Sequence, residues 1–495
     1  MRITNKIMRN NSLYNINQNK ILEDKLSSQM TNQSKITRPS DDPVVAIRAL
    51  RLRTNVTTVS QYYDKNAPDA DQWITLTGDA LDQVDDVLTD LYKQAADASK
   101  KSLKSEDLEI ILTQMEALTD EFYACGNVDY AGRYVFSGYR TDTPITFTAE
   151  DIKDFTKDPA NLKTFEIEES MGYEDFSAIS YTDWSNIDDE LQVTNTTMYR
   201  VRLSYNDVNE VAGGDGATYS FTVKQGNNAS TTVNAIQYTD AETAYKAISD
   251  GNCEIAYIPS TGEIVFSEAY YQNTNNISED TKITVSYSKS NWVEGDINPV
   301  HYFKCSSDGI TYNADGLDQD IFYDVGFNQN IQVNTQAREV FTHSAKRDMD
   351  DFDIYLKQLQ DIETKITDIE EKMAGVAEDS TDYEKFQKNL DAANKAYTYI
   401  RENIQTKFEN QITKYQSYID DTNVAITNNG TRGSRLELIS DRLMNQKATF
   451  KDLQSSNEDV DVSELAVQLK SSELTYEASL MATSKIMQTN LMNYI

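Results

Sequence analysis

Cysteine, histidine and proline are scarce in this 495-residue sequence, and long apolar runs are missing from it. Three cysteines, Cys125, Cys253 and Cys305, are too few and too widely spaced, with no CxxC pair, to imply a disulfide framework or a zinc site. Cys125 continues an apolar helical stripe and reads as a small core residue. Only His301 and His343 exist, neither in a nucleophile motif, and their separation excludes HExxH. No window approaches 18 uncharged apolar residues, so no membrane-crossing helix is expected, and the opening residues lack the apolar core and cleavage site of a secretory signal. Positive charge is in the minority, with 46 Lys and Arg against 80 Asp and Glu and a net charge of −34. Such a chain repels nucleic-acid phosphates and anionic lipid headgroups, so neither nucleic acid nor membrane is an expected partner.

The remaining chemical motifs are incomplete. GGDG at Gly213 to Gly216 lacks the third glycine and following helix of a dinucleotide loop and reads as a turn. Asp315, Asp318 and Asp320 in NADGLDQD do not follow the EF-hand spacing. We therefore expect no cofactor, no metal site and no catalytic residue.

What is present is periodicity. Hydrophobic content of 39%, low for one compact globule, argues for slender, surface-rich architecture. Leu81, Val84, Leu88, Leu91, Ala95 and Ala98, then Leu108, Ile111, Met115, Leu118, Phe122 and Cys125, recur at three-four spacing and predict two amphipathic helices, the second starting at Ser105. From about Gly132 the period changes. GRYVFSGYRT alternates like a strand, two hairpins are predicted around Gln225–Asn228 and Pro259–Gly262, ITVSYS reads as a strand, and Ala241 to Ile248 as a short helix. No proline follows Pro299, and stripes through Phe352–Met373 and Leu390–Ile419 predict a long antiparallel helical hairpin around Gly375. Asn428–Gly430 and Gly433 are expected to break it before a further helix through Leu436, Ile439, Leu443 and Phe450.

The fold class expected is mainly α with a β-rich insertion. Residues 1–38 form an N-terminal coiled-coil helix, 39–142 and 335–455 two halves of a helical bundle, 143–334 the β-rich outer domain, and 456–495 a C-terminal coiled-coil helix. Leu465, Leu469, Tyr476, Leu480, Met487, Leu491 and Tyr494 form a stripe at coiled-coil spacing. Ile3, Ile7, Tyr14 and Ile21 offer a matching face, with Asn10 and Asn17 at the alternate core positions, weakening the pair and fixing its register. Between the first two helices stands RPSDDP. Pro39 stops what precedes it, Asp42 can cap the next helix, and Pro43 suits its first position.

TRPSDDPVVAIRAL, GRYVFSGYRTDTPITF and the closing SELAVQLKSSELTYEASLMATSKIMQTNLMNYI, in that order, resemble the hook-associated protein 3 family of flagellin-like proteins. The resemblance covers about 1–147 and 430–495. It implies paired terminal helices as the inner assembly surface, an inter-domain link at Arg38, Pro39, Ser40, Asp41, Asp42 and Pro43, and a β insertion facing solvent. It also implies a structural, non-enzymatic junction between hook and filament, assembled as a ring. The implied partners are further copies of itself, hook-associated protein 1, flagellin and an export chaperone, on the extracellular flagellum after type III export. Flagellin itself, or a surface-binding module carried on the insertion, are the competing readings.

Overall fold

The computed structural model describes residues 5–488 apart from 101–102, 158–162, 182–189, 226–229, 274–280, 315 and 379. Helices α1 (Asn5–Asn32), α2 (Pro43–Gln61), α3 (Ala67–Ala98) and α4 (Ser105–Cys125) come first. Short helices α5 (Ala149–Lys157), α6 (Ala241–Ser249), α7 (Glu268–Asn273) and α8 (Ala337–Val340) punctuate the middle. Three long ones close the chain: α9 (Ser344–Ala374), α10 (Thr381–Glu458) and α11 (Val462–Gln488). The fold is mainly helical with a β-rich insertion and paired terminal helices. Two compact units divide it, one of Met1–Asp71, Tyr323–Ile331 and Ser434–Ile495, the other of Gln72–Phe322 and Gln332–Gly433.

The second unit contains the sheet. Its strands are β3 (Phe165–Met171), β4 (Glu174–Tyr181), β5 (Val193–Arg202), β6 (Thr218–Gln225), β7 (Thr231–Gln237), β8 (Ile255–Ile258), β9 (Glu263–Phe266), β10 (Thr281–Lys289), β11 (Lys304–Ser307) and β12 (Ile310–Tyr312). They run in the order β12-β11-β3-β10-β6-β7-β8-β9-β5-β4. β10 alternates buried and more exposed side chains along its length, as a one-sided strand should. The β8–β9 hairpin is buried at every position, so both of its faces are covered. β7 and β8 pair in parallel, which a tight turn cannot achieve, and α6 provides the crossover. Its Ala244 and Ile248 pack with Ala256, Ile258 and Val265 of β8 and β9.

Helices α3, α4 and α9 and the first part of α10 form the bundle of this unit. Every predicted stripe residue of α3 is buried. Ser105 bonds Glu363 across α4 and α9, and Phe352 stacks on Phe408 across α9 and α10 with ring centroids 4.1 Å apart. Asn429 Nδ2 donates to the Ile74 carbonyl at 2.8 Å, joining α10 to α3.

Two local expectations need correction, and one element was not anticipated. α10 is one helix of 78 residues and runs through Gly430 and Gly433. A glycine in a helix interior costs about 1 kcal/mol relative to alanine, too little to break a helix held by packing such as Asn429 on Ile74. GRYVFSGYRT supplies only the two-residue strand β2 (Arg133–Tyr134), paired with β1 (Asp129–Tyr130). Val135 and Phe136 are buried in succession rather than alternately, and Gly138, at φ 64°, turns the chain. Finally, α2 continues into α3 through a π-helical turn, Tyr62–Asn66. Pro68 follows two residues later, and its missing N–H accounts for the widened turn.

In the first unit, β13 (Phe322–Gly326) and β14 (Gln329–Gln332) make a hairpin. Its Tyr323 hydroxyl donates to Asp69 at 2.9 Å and its Phe327 ring meets Tyr62 edge-on.

Candidate assembly surface

The first unit pairs the two ends of the chain. On α1 the residues screened from solvent include Ser12, Ile16, Asn19, Glu23 and Leu26, at four-three spacing; on α11 they include Leu465, Leu469, Ser472, Tyr476, Ser479 and Thr483. Asn19 Nδ2 donates to Ser479 Oγ at 3.0 Å between them. The helices run antiparallel, as the backbone pairing of Ser34 with Asp459 requires. Leu26 and Leu465 are the fully buried apolar residues of this seam. Each contributes about 2 kcal/mol, so the largely polar pair is weakly held.

At 100° per residue, Ile7, Tyr14 and Ile21 lie about half a turn around α1 from that seam. Their exposures are 50%, 64% and 62%, and Asn10 and Asn17 are exposed on the same side. The expected register is therefore corrected: the asparagine at the seam is Asn19. The physical reason is that burying Leu26 and Ile16 excludes burying a face on the opposite side. Of the α11 stripe, Leu465 is buried, Leu469 and Tyr476 are half-buried, and Leu480 is exposed. Ile3, Leu491 and Tyr494, and the side chain of Met487, lie outside the described residues. The stripe that sequence reasoning missed is Val467, Leu474 and Met481, spaced by seven and exposed by 70%, 57% and 69%. It too lies opposite the seam. Its spacing of seven is visible in the sequence beside the Leu465–Leu469–Tyr476 stripe, which occupies the seam.

The link between α1 and α2 shows why RPSDDP carries two aspartates. Asp41 closes a turn: its amide donates to the Arg38 carbonyl at 3.0 Å, with Pro39 at the second position, which its fixed φ suits. Its Oδ2 accepts from the Arg38 amide at 2.9 Å, the Thr37 amide at 3.2 Å and the Thr37 hydroxyl at 3.1 Å. Those donors, the Arg38 amide first, hold the carboxyl below its ordinary range. Asp42 Oδ1 caps α2 instead, accepting from the amides of Val44 at 3.0 Å and Val45 at 3.1 Å, with Pro43 in the first turn. Ser40 completes the turn. The returning strand of the link runs alongside, where the Lys35 amide donates to the Glu458 carbonyl at 2.7 Å. Glu458 also takes Arg53 through two nitrogens, and that carboxylate raises the affinity of the guanidinium for its proton. Asp461 then caps α11 through the amides of Ser463 and Glu464.

With this geometry in view, comparison with known proteins is informative. Residues 3–141 match the family model of the bacterial flagellin N-terminal helical region. Flagellar hook-associated protein 3 of Salmonella typhimurium is 29% identical over 143 residues, and that of Escherichia coli 28% over 144. The N-terminal part of the chain is thus similar to flagellin-like proteins. Each alignment covers 29% of this chain and 45% of the relative, so the chain spans about half the length of the curated relatives it matches. Among solved structures, the flagellar hook-associated protein 3 of Legionella pneumophila is similar at 13% identity and a TM-score of 0.29, over 82% of this chain and 98% of that one.

Among the described residues no helix is long and apolar enough to cross a membrane, and no three His, Cys, Asp or Glu side chains converge as a metal site.

Proposed function

We propose that this chain is the junction protein between the hook and the filament of the bacterial flagellum, a structural subunit that forms a ring through its terminal helices. The observation that carries the reading is the pair of heptad-spaced apolar stripes, Ile7–Tyr14–Ile21 and Val467–Leu474–Met481, turned away from the α1–α11 seam. Exposed apolar stripes mark a protein contact, and helical stripes at spacing seven suit packing against further helices. Further copies of the chain are the natural occupants within a ring, with hook-associated protein 1 below and flagellin above, and an export chaperone before assembly. The relatives' name, flagellar hook-associated protein 3, supports a junction protein over a filament subunit. The β insertion is the part left to face solvent outside the cell.

The test is Leu474→Asp in cells lacking the unmodified protein. Leu474 is exposed, so the chain should fold with unchanged far-ultraviolet circular dichroism. A charge placed in a packed inter-subunit layer costs several kcal/mol unless neutralised. The cells should build hooks, release flagellin into the medium and lack filaments. Filaments of normal length would refute the assignment of this face.

A further inference from the structure

The second unit joins its sheet to the start of α9 through buried charge. Glu174, Glu263, Asp348 and Asp351 all have arginine or lysine partners there. Glu169 of β3 does not share that arrangement, although it is only 4% exposed. Its Oε1 accepts from the Tyr287 hydroxyl of β10. Its Oε2 accepts from the Ser204 amide at 3.2 Å and the Ser204 hydroxyl at 3.1 Å. Ser204 Oγ also contacts His343 Nδ1 at 3.0 Å, and His343 directly precedes α9. Arg347 of α9 is the cation facing this carboxyl, but its guanidinium is committed to Asp350 and to the carbonyls of Leu203 and Thr261. Tyr205 and, from β6, Tyr219 complete the titratable surroundings. His343 lines two cavities, of about 310 and 270 Å³, so water stands close to the joint.

We propose that the contact between Glu169, Ser204 and His343 is a proton-operated lock between sheet and helix, closed while Glu169 is protonated and loosened when it loses its proton. In the closed state the protonated Oε1 donates to the Tyr287 oxygen, reversing the bond that the carboxylate accepts, while Oε2 accepts both Ser204 hydrogens. Ser204 Oγ, having spent its proton, accepts from His343 Nδ1–H. Ionisation leaves a full negative charge with hydroxyl and amide donors but, among the described residues, no ion pair, and burial makes that costly. Burial accordingly pushes the carboxyl up to about 7, the hydroxyls and Ser204 amide opposing it only in part. The cost is relieved by letting water in from the His343 side, which requires the Ser204 loop and the first turn of α9 to part. His343 is held neutral over this range, since burial and the neighbouring Arg202 push it down to about 4. The sign is fixed: a carboxyl raised in the folded state is destabilising above its unfolded value, the penalty growing until pH exceeds the folded value.

Amide exchange of the full chain, corrected for the intrinsic pH dependence and referenced to amides of β8, tests this. Protection of residues 203–205 and 343–347 should fall several-fold between pH 6 and pH 9. Glu169→Gln, which keeps an acceptor for Ser204 and a donor for Tyr287 but cannot ionise, should hold protection flat. Tyr287→Phe removes a donor from the carboxylate and should move the midpoint to higher pH, giving an independent reading if the glutamine variant folds poorly. Flat protection in the unmodified chain, an equal fall in Glu169→Gln, or an unmoved midpoint in Tyr287→Phe would each overturn the proposal.

Discussion

Replacing Arg200 with methionine probes the ion network that joins sheet to bundle within the second unit. Arg200 is 1% exposed and contacts three carboxylates: Glu174 at 2.8 Å, Glu263 at 2.7 Å and Asp351 at 2.6 Å. Methionine of similar length fills much of the space and removes the charge. The loss falls unevenly on the three partners. Asp351 keeps Arg202 at 2.8 Å and Lys407 at 2.7 Å, and Glu174 is about one-third exposed and can turn to water. Glu263 is 1% exposed and keeps the Tyr245 hydroxyl at 2.7 Å, with no second cation within ion-pair distance among the described residues. The uncompensated charge is therefore Glu263, and stranding one member of a buried pair costs roughly 3–5 kcal/mol. Adding Glu263→Gln removes that charge while keeping the tyrosine contact, so the double variant should lie within about 2 kcal/mol of the parent. Urea unfolding followed by tryptophan fluorescence is the assay, because Trp73, Trp184 and Trp292 all fall in the second unit's sequence. A single-variant loss below about 1 kcal/mol, or a double variant no better than the single, would refute the assignment of cost to Glu263.

The glycines and the α2 cap give two further tests. A Cβ at Gly430 meets nothing within 4 Å, so Gly430→Ala should stabilise α10 by up to about 1 kcal/mol. At Gly126 the same atom would sit 2.0 Å from Ile145 Cδ1, so Gly126→Ala should destabilise; thermal melts moving in the same direction for both would contradict the packing described. Asp42→Ala should cost about 1 kcal/mol through the lost cap, and Pro43→Ala less, since that position needs no N–H. A larger loss at the proline, in the same melts, would mean that α2 starts elsewhere.

Helix positions were legible wherever one face is buried in the chain's own core. The α3 stripe from Leu81 to Ala98 is buried throughout, and the α9 and α10 stripes meet at Phe352 and Phe408. The hairpin β8–β9 was legible because Pro259 to Gly262 marks its turn, and Gly262, at φ 64°, lies 2.0 Å by its built Cβ from the Tyr205 carbonyl, where a side chain would not fit. The continuity of α10 was not legible, because a residue scale charges glycine the same cost whether or not neighbours hold the helix. Nor was the buried charge. Arg200, Arg202, Glu263, Asp348 and Asp351 come from β5, β9 and α9 and have no common sequence pattern, so only the sheet order brings them together.

The candidate assembly site shows the same limit in its sharpest form. Both terminal helices carry two usable faces: one mixed and polar, with Asn19 and Ser479 bonded across it, the other more apolar, with Ile7, Tyr14, Ile21 and Val467, Leu474, Met481. On α1 periodicity finds the apolar face and assigns it to the intramolecular pair, because burial is its measure of worth; on α11 it finds the seam face through Leu465, Leu469 and Tyr476 and passes over Val467, Leu474 and Met481. In an isolated chain that choice would be the stable one, and leaving those six residues in water would forgo several kcal/mol. Their exposure makes sense when the free energy withheld from the monomer is released between chains, so that the pair is held loosely by Leu26 and Leu465 until neighbours cover its outer faces. Under the assembly proposed above, the outward stripes follow from fitting the two helices to neighbouring chains, and on α1 a reading confined to one chain inverts them.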